Sequence, residues 1–226
     1  MIVGVIPARI GSTRFPRKLL YQIEGKSVIE HVFSQAKLSK KINKLIIATD
    51  SNEIASLFNP SDVVLTKTSH QSGTDRVGEA IQNLDYDIVV NIQGDEPKID
   101  PELIDRLIES LEGSQAGMAS LASTIIEDKD FEDPNVVKVL IDNHNYAIKF
   151  YRETDKKINL LRHVGIYAFK KEIFEKFIKL SMTKNEIKLK LEQLRAMDNR
   201  IPIKIVVSDF KFRSIDVKED LKNYEN

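Results

Sequence analysis

The chain has 226 residues, 42% of them hydrophobic, which suits one ordinary domain with a buried core. Lys plus Arg and Asp plus Glu number 34 each, so no general attraction to nucleic acid or anionic lipid is expected and any anion site must be local. The absence of cysteine excludes disulfides, thiolate metal sites and thiol nucleophiles; the four histidines, His31, His70, His144 and His163, are scattered, and no apolar run approaches the ~20 residues that span a bilayer.

The opening "MIVGVIPAR" lacks the basic leader and long apolar stretch of a secretory signal, so a cytoplasmic protein with no membrane partner is expected. "MIVGVI" reads as a buried strand. It runs into "IPARIGSTRFPRK", a loop with Arg9, Arg14, Arg17 and Lys18 and no acidic residue. That much local positive charge suits an anion such as a triphosphate, although a solvated basic loop has the same composition. Neither GxGxxG nor GxxxxGK[ST] is present. In "SVIEHVFSQAK", Val28, Ile29, Val32, Phe33 and Ala36 recur at helical spacing, and Ser27 with Glu30 forms a capping-box signal.

"KLIIATD" and "DVVLT" follow as strands, with a short helix around Ile54 to Phe58 separating them. "HQSGTDR" then precedes a helix marked by Val77, Ala80, Ile81 and Leu84. Ser72 with Asp75 can cap that helix, and the same segment can border a nucleobase. "DIVVNI" is a fourth strand, followed by "NIQGDEP". There Asp95, beside Gly94, is either a turn residue or a carboxylate able to hold Mg²⁺ against a phosphate. Pro101 opens a helix carrying Leu103, Ile104, Leu107, Ile108 and Leu111.

The second half begins with "VVKVLID-NHN-YAIKFY", a hairpin with a polar turn. "HVGIYAF" is a strand, two helical stretches follow, and "IPIKIVV" precedes a last helix after Asp216. For that helix Asp216 is a candidate N-cap, with Glu219 three positions on. Strands alternating with helices imply parallel strands joined by right-handed crossovers, and thus an open mixed α/β sheet covered on both faces. In such sheets ligands bind beyond the carboxyl ends of the strands, where the basic loop, "HQSGTDR" and "NIQGDEP" all fall.

Three loops in this order resemble the signature segments of the 3-deoxy-manno-octulosonate (Kdo) cytidylyltransferase family. The resemblance implies a Rossmann-like nucleotide-diphospho-sugar transferase fold, with a mixed, mostly parallel sheet. It implies one domain over 1–226, with a nucleotide-binding part over about 1–125 and a sugar-binding and dimerisation part over about 126–226. It further implies that CTP and a 2-keto sugar acid are the substrates, Mg²⁺ the cofactor, a homodimer the working form and lipopolysaccharide biosynthesis the setting. Arg9, Ser12, Arg14 and Lys18 would handle the triphosphate; Gln71, Ser72, Arg76 and Gln93 would border the nucleotide; Asp95 and Asp216 would hold the metal. Lys18, Asp95, Asp216 and Arg9 would carry the catalysis.

"LRHVGIYAF" and "LEQLRAMDN" resemble family segments that place His163, Glu192 and Gln193 at the sugar acid, where Arg152 would meet its carboxylate. Otherwise His163 reads as a structural histidine and the Glu-Gln pair as a solvated helix face. The chain departs from the family pattern in three places. Arg17-Lys18-Leu19 stands where the family has Gly-Lys-Pro. A Pro-Ile-Pro segment and several residues before His163 are missing. Ser214 and Lys218 replace a Gly and a Pro around Asp216. The shortened segment opens the alternatives of an amino-Kdo or sialic-type acceptor, or of a nucleotide-binding homologue without turnover.

Overall fold

Ile2–Ala8 forms β1, and Val3, Val5 and Ile6 along it are fully buried, the near-continuous apolar run required of a strand covered on both faces. The computed structural model describes residues 1–11, 15–70, 72–154 and 159–224. After β1 a small antiparallel ribbon pairs β2 (Gln22–Ile23) with β3 (Lys26–Ser27). β4 (Lys44–Thr49), β5 (Val63–Leu65) and β6 (Ile88–Asn91) complete a parallel arrangement in the order β6-β1-β4-β5.

The crossover helices start where side chains satisfy their first free N–H groups. Ser27 and Glu30 form the expected capping box of α1 (Val28–Ala36). Ser51 caps α2 (Asn52–Ala55), which is shorter and begins earlier than the expected helix around Ile54 to Phe58. Ser72 and Asp75 box α3 (Gly73–Ile81), while the Asp100 carboxylate accepts from the Glu102 N–H at the start of α4 (Pro101–Glu109).

The chain divides into two compact units, Met1–Asp105 with Phe212–Asn226, and Arg106–Lys211. β7 (Met118–Ser123) lies in the second unit. It pairs antiparallel with β10 (Leu160–Lys170) and parallel with β11 (Ile203–Ser208). β8 (Lys138–Ile141) and β9 (Ala147–Tyr151) form the expected hairpin, attached along the first residues of β10. Its polar turn is held by Asp142, whose Oδ1 accepts from the N–H groups of His144 and Tyr146, with Asn145 in the left-handed region that asparagine tolerates.

Three helices stand where two were expected: α5 (Lys171–Phe177), α6 (Lys184–Leu189) and α7 (Gln193–Asp198). Lys190, with φ of 52°, breaks the run after α6. Among the described residues no helix is long and apolar enough to cross a membrane.

Candidate active site

In the first unit, the loops beyond the carboxyl ends of β1 and β6 enclose a cavity of about 370 Å³ with the start of α3. Arg9, Lys18, Ser72, Arg76, Gln93, Asp95 and Asp216 all line it, so seven residues expected at the nucleotide or metal share one space. Ser12, Arg14 and Gln71 lie outside the described residues. The volume falls in the range of small-molecule pockets, about 300–1,000 Å³.

Close backbone approach builds this cavity. A Cβ on Gly94 would stand 3.2 Å from Ile29 Cδ1 and 3.4 Å from Pro7 O, and one on Gly73 would stand 3.3 Å from the Pro7 ring. The glycine of "QGDEP" thus acts through tight packing against the end of β1. Arg17 makes a different local adjustment. Its φ of 59° and ψ of 23° are left-handed, the conformation that glycine adopts without strain and that costs an L-residue about 1–2 kcal/mol. The family pattern led to the expectation of a glycine here, and Arg17 takes up a conformation open to one. The Arg17 side chain meets Glu53 in an exposed ion pair.

Just beyond Arg17, Lys18 joins three groups of the site. Its Nζ lies 2.5 Å from Asp95 Oδ2 and 3.7 Å from Asp216 Oδ1, and it donates to the Ile215 carbonyl at 2.8 Å. Two carboxylates remote in sequence therefore converge on one ammonium. Their reaching oxygens can be no more than the sum of those distances apart, 6.2 Å. A backbone link reinforces the convergence, since the Ile215 N–H donates to the Asp95 carbonyl at 3.0 Å. Asp95 remains 22% exposed and Asp216 33%, so both reach solvent and ligand.

Asp216 is not the N-cap that its sequence context suggested. The final 3-10 helix spans Lys218–Asn223, and Asp220 Oδ2 accepts from the N–H groups of Asp216 and Val217, at 2.7 and 2.9 Å. Asp220 does the capping, and the Asp216 carboxylate faces Lys18.

Arg76 lines the cavity but is only 3% exposed; its guanidinium donates to Thr66 Oγ1 at 2.5 Å and pairs with Asp50 at 2.7 Å. Ser72 joins the cavity wall to the first turn of α3, where its Oγ accepts from the Asp75 N–H at 3.1 Å. Capping and lining thus coexist in one residue. His70 also lines the cavity, its ring bonded to Glu79, whose carboxyl is held below the ordinary range chiefly by that hydrogen bond. Sequence reasoning singled out its motif without assigning His70 a role.

In the second unit, His163 is buried, its ring edge-on to Phe150 at 4.9 Å and 5.9 Å from Tyr167. Its Nε2 meets Ser120 Oγ at 2.9 Å; the serine proton has two carbonyls within reach, Val164 at 3.1 Å and Ile166 at 2.9 Å. The hydroxyl therefore accepts from His163, which assigns the ring proton to Nε2. Burial pushes the imidazole down to about 3, and so keeps it neutral. A register shift between Val164 and Tyr167, a two-residue irregularity in β10, brings Tyr167 opposite Ser120.

The Tyr167 hydroxyl, held protonated by burial, donates to Gln193 Oε1 at 3.0 Å, and Gln193 Nε2 is buried with no partner among the described residues. Glu192 directly precedes α7 and raises the Tyr167 pKa further by its charge. His163, Glu192 and Gln193 are thus gathered around Tyr167, which sequence reasoning missed together with Ser120. Arg152 is engaged elsewhere, its guanidinium donating to the carbonyls of Leu189, Pro134 and Lys190 at 2.6–2.7 Å. It ties its strand end to the segment before β8 and to the end of α6, a role that competes with the carboxylate grip expected of it.

The cytidylyltransferase family profile matches residues 3–205. A relative from Trichlorobacter lovleyi named 3-deoxy-manno-octulosonate cytidylyltransferase is 38% identical, the alignment covering 97% of this chain and 95% of the relative. One from Shewanella pealeana named 8-amino-3,8-dideoxy-manno-octulosonate cytidylyltransferase is also 38% identical, covering 96% and 94%. A solved structure of CMP:2-keto-3-deoxy-manno-octonic acid synthetase complexed with CTP superposes with a TM-score of 0.91 at 31% identity, over 98% of this chain and 95% of that one. The cavity, its converging charges and these likenesses agree: the chain belongs to the 3-deoxy-manno-octulosonate cytidylyltransferase family.

Proposed function

We propose that this protein transfers the cytidylyl group of CTP to a 2-keto sugar acid, Kdo first, giving the CMP-sugar and pyrophosphate. The observation that carries the reading is the convergence of Asp95 and Asp216 on Lys18 in a cavity that Arg9 and Arg76 also line. The anomeric oxygen attacks the α-phosphorus in line and gives up its proton to water, while the α–β phosphoanhydride bond breaks with its electron pair leaving on pyrophosphate. Little covalent chemistry falls to the chain, so positioning and charge neutralisation carry the rate. Arg9 and Lys18 neutralise the departing pyrophosphate, while Ser72 and Gln93 border the nucleotide.

Two accessible carboxylates fit a magnesium ion, which commonly takes one or two carboxylates and completes its shell with phosphate and water. Such an ion supplies a Lewis acid that polarises the α-phosphate and lowers the pKa of the attacking hydroxyl. His163, Glu192 and Gln193 orient the acceptor; the buried Gln193 Nε2 supports this, because it has a donor left for a sugar oxygen. The reading extends to a cytoplasmic homodimer, which a solution mass of twice the 25.8 kDa chain would support.

The direct test is Asp95→Asn, assayed for pyrophosphate release from CTP and Kdo. Turnover is expected to fall by about 10²–10³ or more, with CTP binding partly retained. Full activity in this variant would remove the metal assignment. An amino-substituted Kdo is a second acceptor reading, favoured by the name of the Shewanella relative, which is as similar as the Trichlorobacter one.

A further inference from the structure

We infer that Asp220 is a positioning residue for catalysis, acting through Asp216; this rests on the metal role proposed for Asp216. Asp216 lies in a segment with no regular secondary structure, between Phe212 and the 3-10 helix at Lys218–Asn223. Three fastenings hold that segment at the site. Ile215 is fully buried, its N–H donates to the Asp95 carbonyl and its own carbonyl accepts from Lys18. These bonds fix the residue before Asp216. The residue itself and the one after are fixed by Asp220, whose single oxygen Oδ2 takes both the Asp216 and the Val217 N–H.

A carboxylate accepting two backbone N–H groups makes charge-assisted bonds, roughly twice as strong as neutral ones. They fix the peptide planes on either side of the Asp216 Cα and thereby the direction in which its side chain leaves the backbone. The far end of the helix is anchored as well. Leu221 and Tyr224 are buried, the Tyr224 hydroxyl donates to the Arg213 carbonyl, and Lys98 Nζ lies 5.0 Å from the Tyr224 ring centre. With Asp220 replaced by an apolar residue the helix keeps these anchors. What is lost is the brace on Asp216.

The distinction matters because Asp95 is held differently. It sits in the turn four residues after β6, with its carbonyl bonded to the Ile215 N–H, whereas the Asp216 backbone is held by the Asp220 carboxylate. Displacing a metal ligand's support commonly costs about 10–100-fold in metal affinity or activity. Asp220 touches no reacting atom and is not a catalytic residue.

The experiment compares the parent with Asp216→Asn, Asp220→Ala and Asp220→Asn. Three readouts are taken: kcat and KM for CTP, binding of Mn²⁺ in the presence of CTP followed by electron paramagnetic resonance, and CTP binding without divalent cation. Asp220→Ala should weaken CTP-dependent Mn²⁺ binding and lower kcat by about 10–100-fold, leaving metal-free CTP binding at the parent value. Asp220→Asn should recover most of both, because its amide oxygen can accept the same two N–H groups. Parent-like Mn²⁺ binding in Asp220→Ala beside a defective Asp216→Asn overturns this inference alone. A loss in Asp220→Ala that extends equally to metal-free CTP binding, or that Asp220→Asn does not relieve, overturns it in favour of a purely structural role. Parent-like behaviour of Asp216→Asn overturns the metal assignment itself.

Discussion

His163 combines burial with a neutral ring, and that has a consequence for stability. Its pKa falls from the ordinary 6.5 to about 3 in the folded chain, with desolvation the cause. Between those values the unfolded chain binds a proton that the folded chain excludes, so stability rises with pH across this window and is full above 6.5. At pH 5 the loss is about 2 kcal/mol. Denaturant midpoints measured from pH 7 to 4.5 should show a decline that His163→Gln flattens. An unchanged slope in that variant would mean that other groups set the acid sensitivity. The motif around His163 is legible in the sequence, but its burial is not. A histidine in "LRHVGIYAF" reads the same whether its strand faces solvent or a wall of Phe150 and Tyr167.

Among the elements, α6 and α7 depend on a pair that looks like two ordinary surface charges in the sequence. Glu186 boxes the start of α6 with Thr183 and then grips Arg195 of α7 through both oxygens, at 2.9 and 2.6 Å. Both side chains are almost fully buried, and the guanidinium lies 4.8 Å from the Phe177 ring centre. Removing one partner of a buried pair leaves the other charge unpaired, which typically costs about 3–5 kcal/mol. Glu186→Ala is expected to lose that much by urea denaturation; a loss below ~1 kcal/mol would mean that water reaches Arg195. Capping signals at Ser27 and Ser72 and the hairpin turn near Asn145 were legible because their partners lie within a few residues. Strand β7, "MASLAS", was not, since small residues carry little β-propensity and the strand is defined by its neighbours β10 and β11.

For the whole molecule, the open question is the acceptor. Lys138 is fully buried, its ammonium donating to the carbonyls of Asp130, Asp133, Val136 and Arg152. Burial lowers the pKa of that lysine, but four carbonyl acceptors stabilise its charge. The Arg152 guanidinium adds bonds to the carbonyls of Pro134, Leu189 and Lys190. Pyrophosphate release measured across Kdo, its 8-amino analogue and a sialic acid is expected to be fastest with Kdo. A preference of more than about tenfold for the amino sugar would move the chain to the second acceptor reading.

The sequence by itself determined the fold class, the loops that line the cavity and the family, because each is encoded in contiguous residues: apolar runs, helix caps and short motifs that keep their order. What local pattern could not determine, and only the family resemblance implied, is which charges meet. Asp95 and Asp216 are 121 positions apart, and their convergence on Lys18 arises only when residues 212–224 return to the first unit. Likewise, whether Asp216 or Asp220 capped the last helix depended on which carboxylate the folded backbone turned inward. Local signals fix local geometry, while the pairing of distant charges is decided by packing, and that exists only in three dimensions.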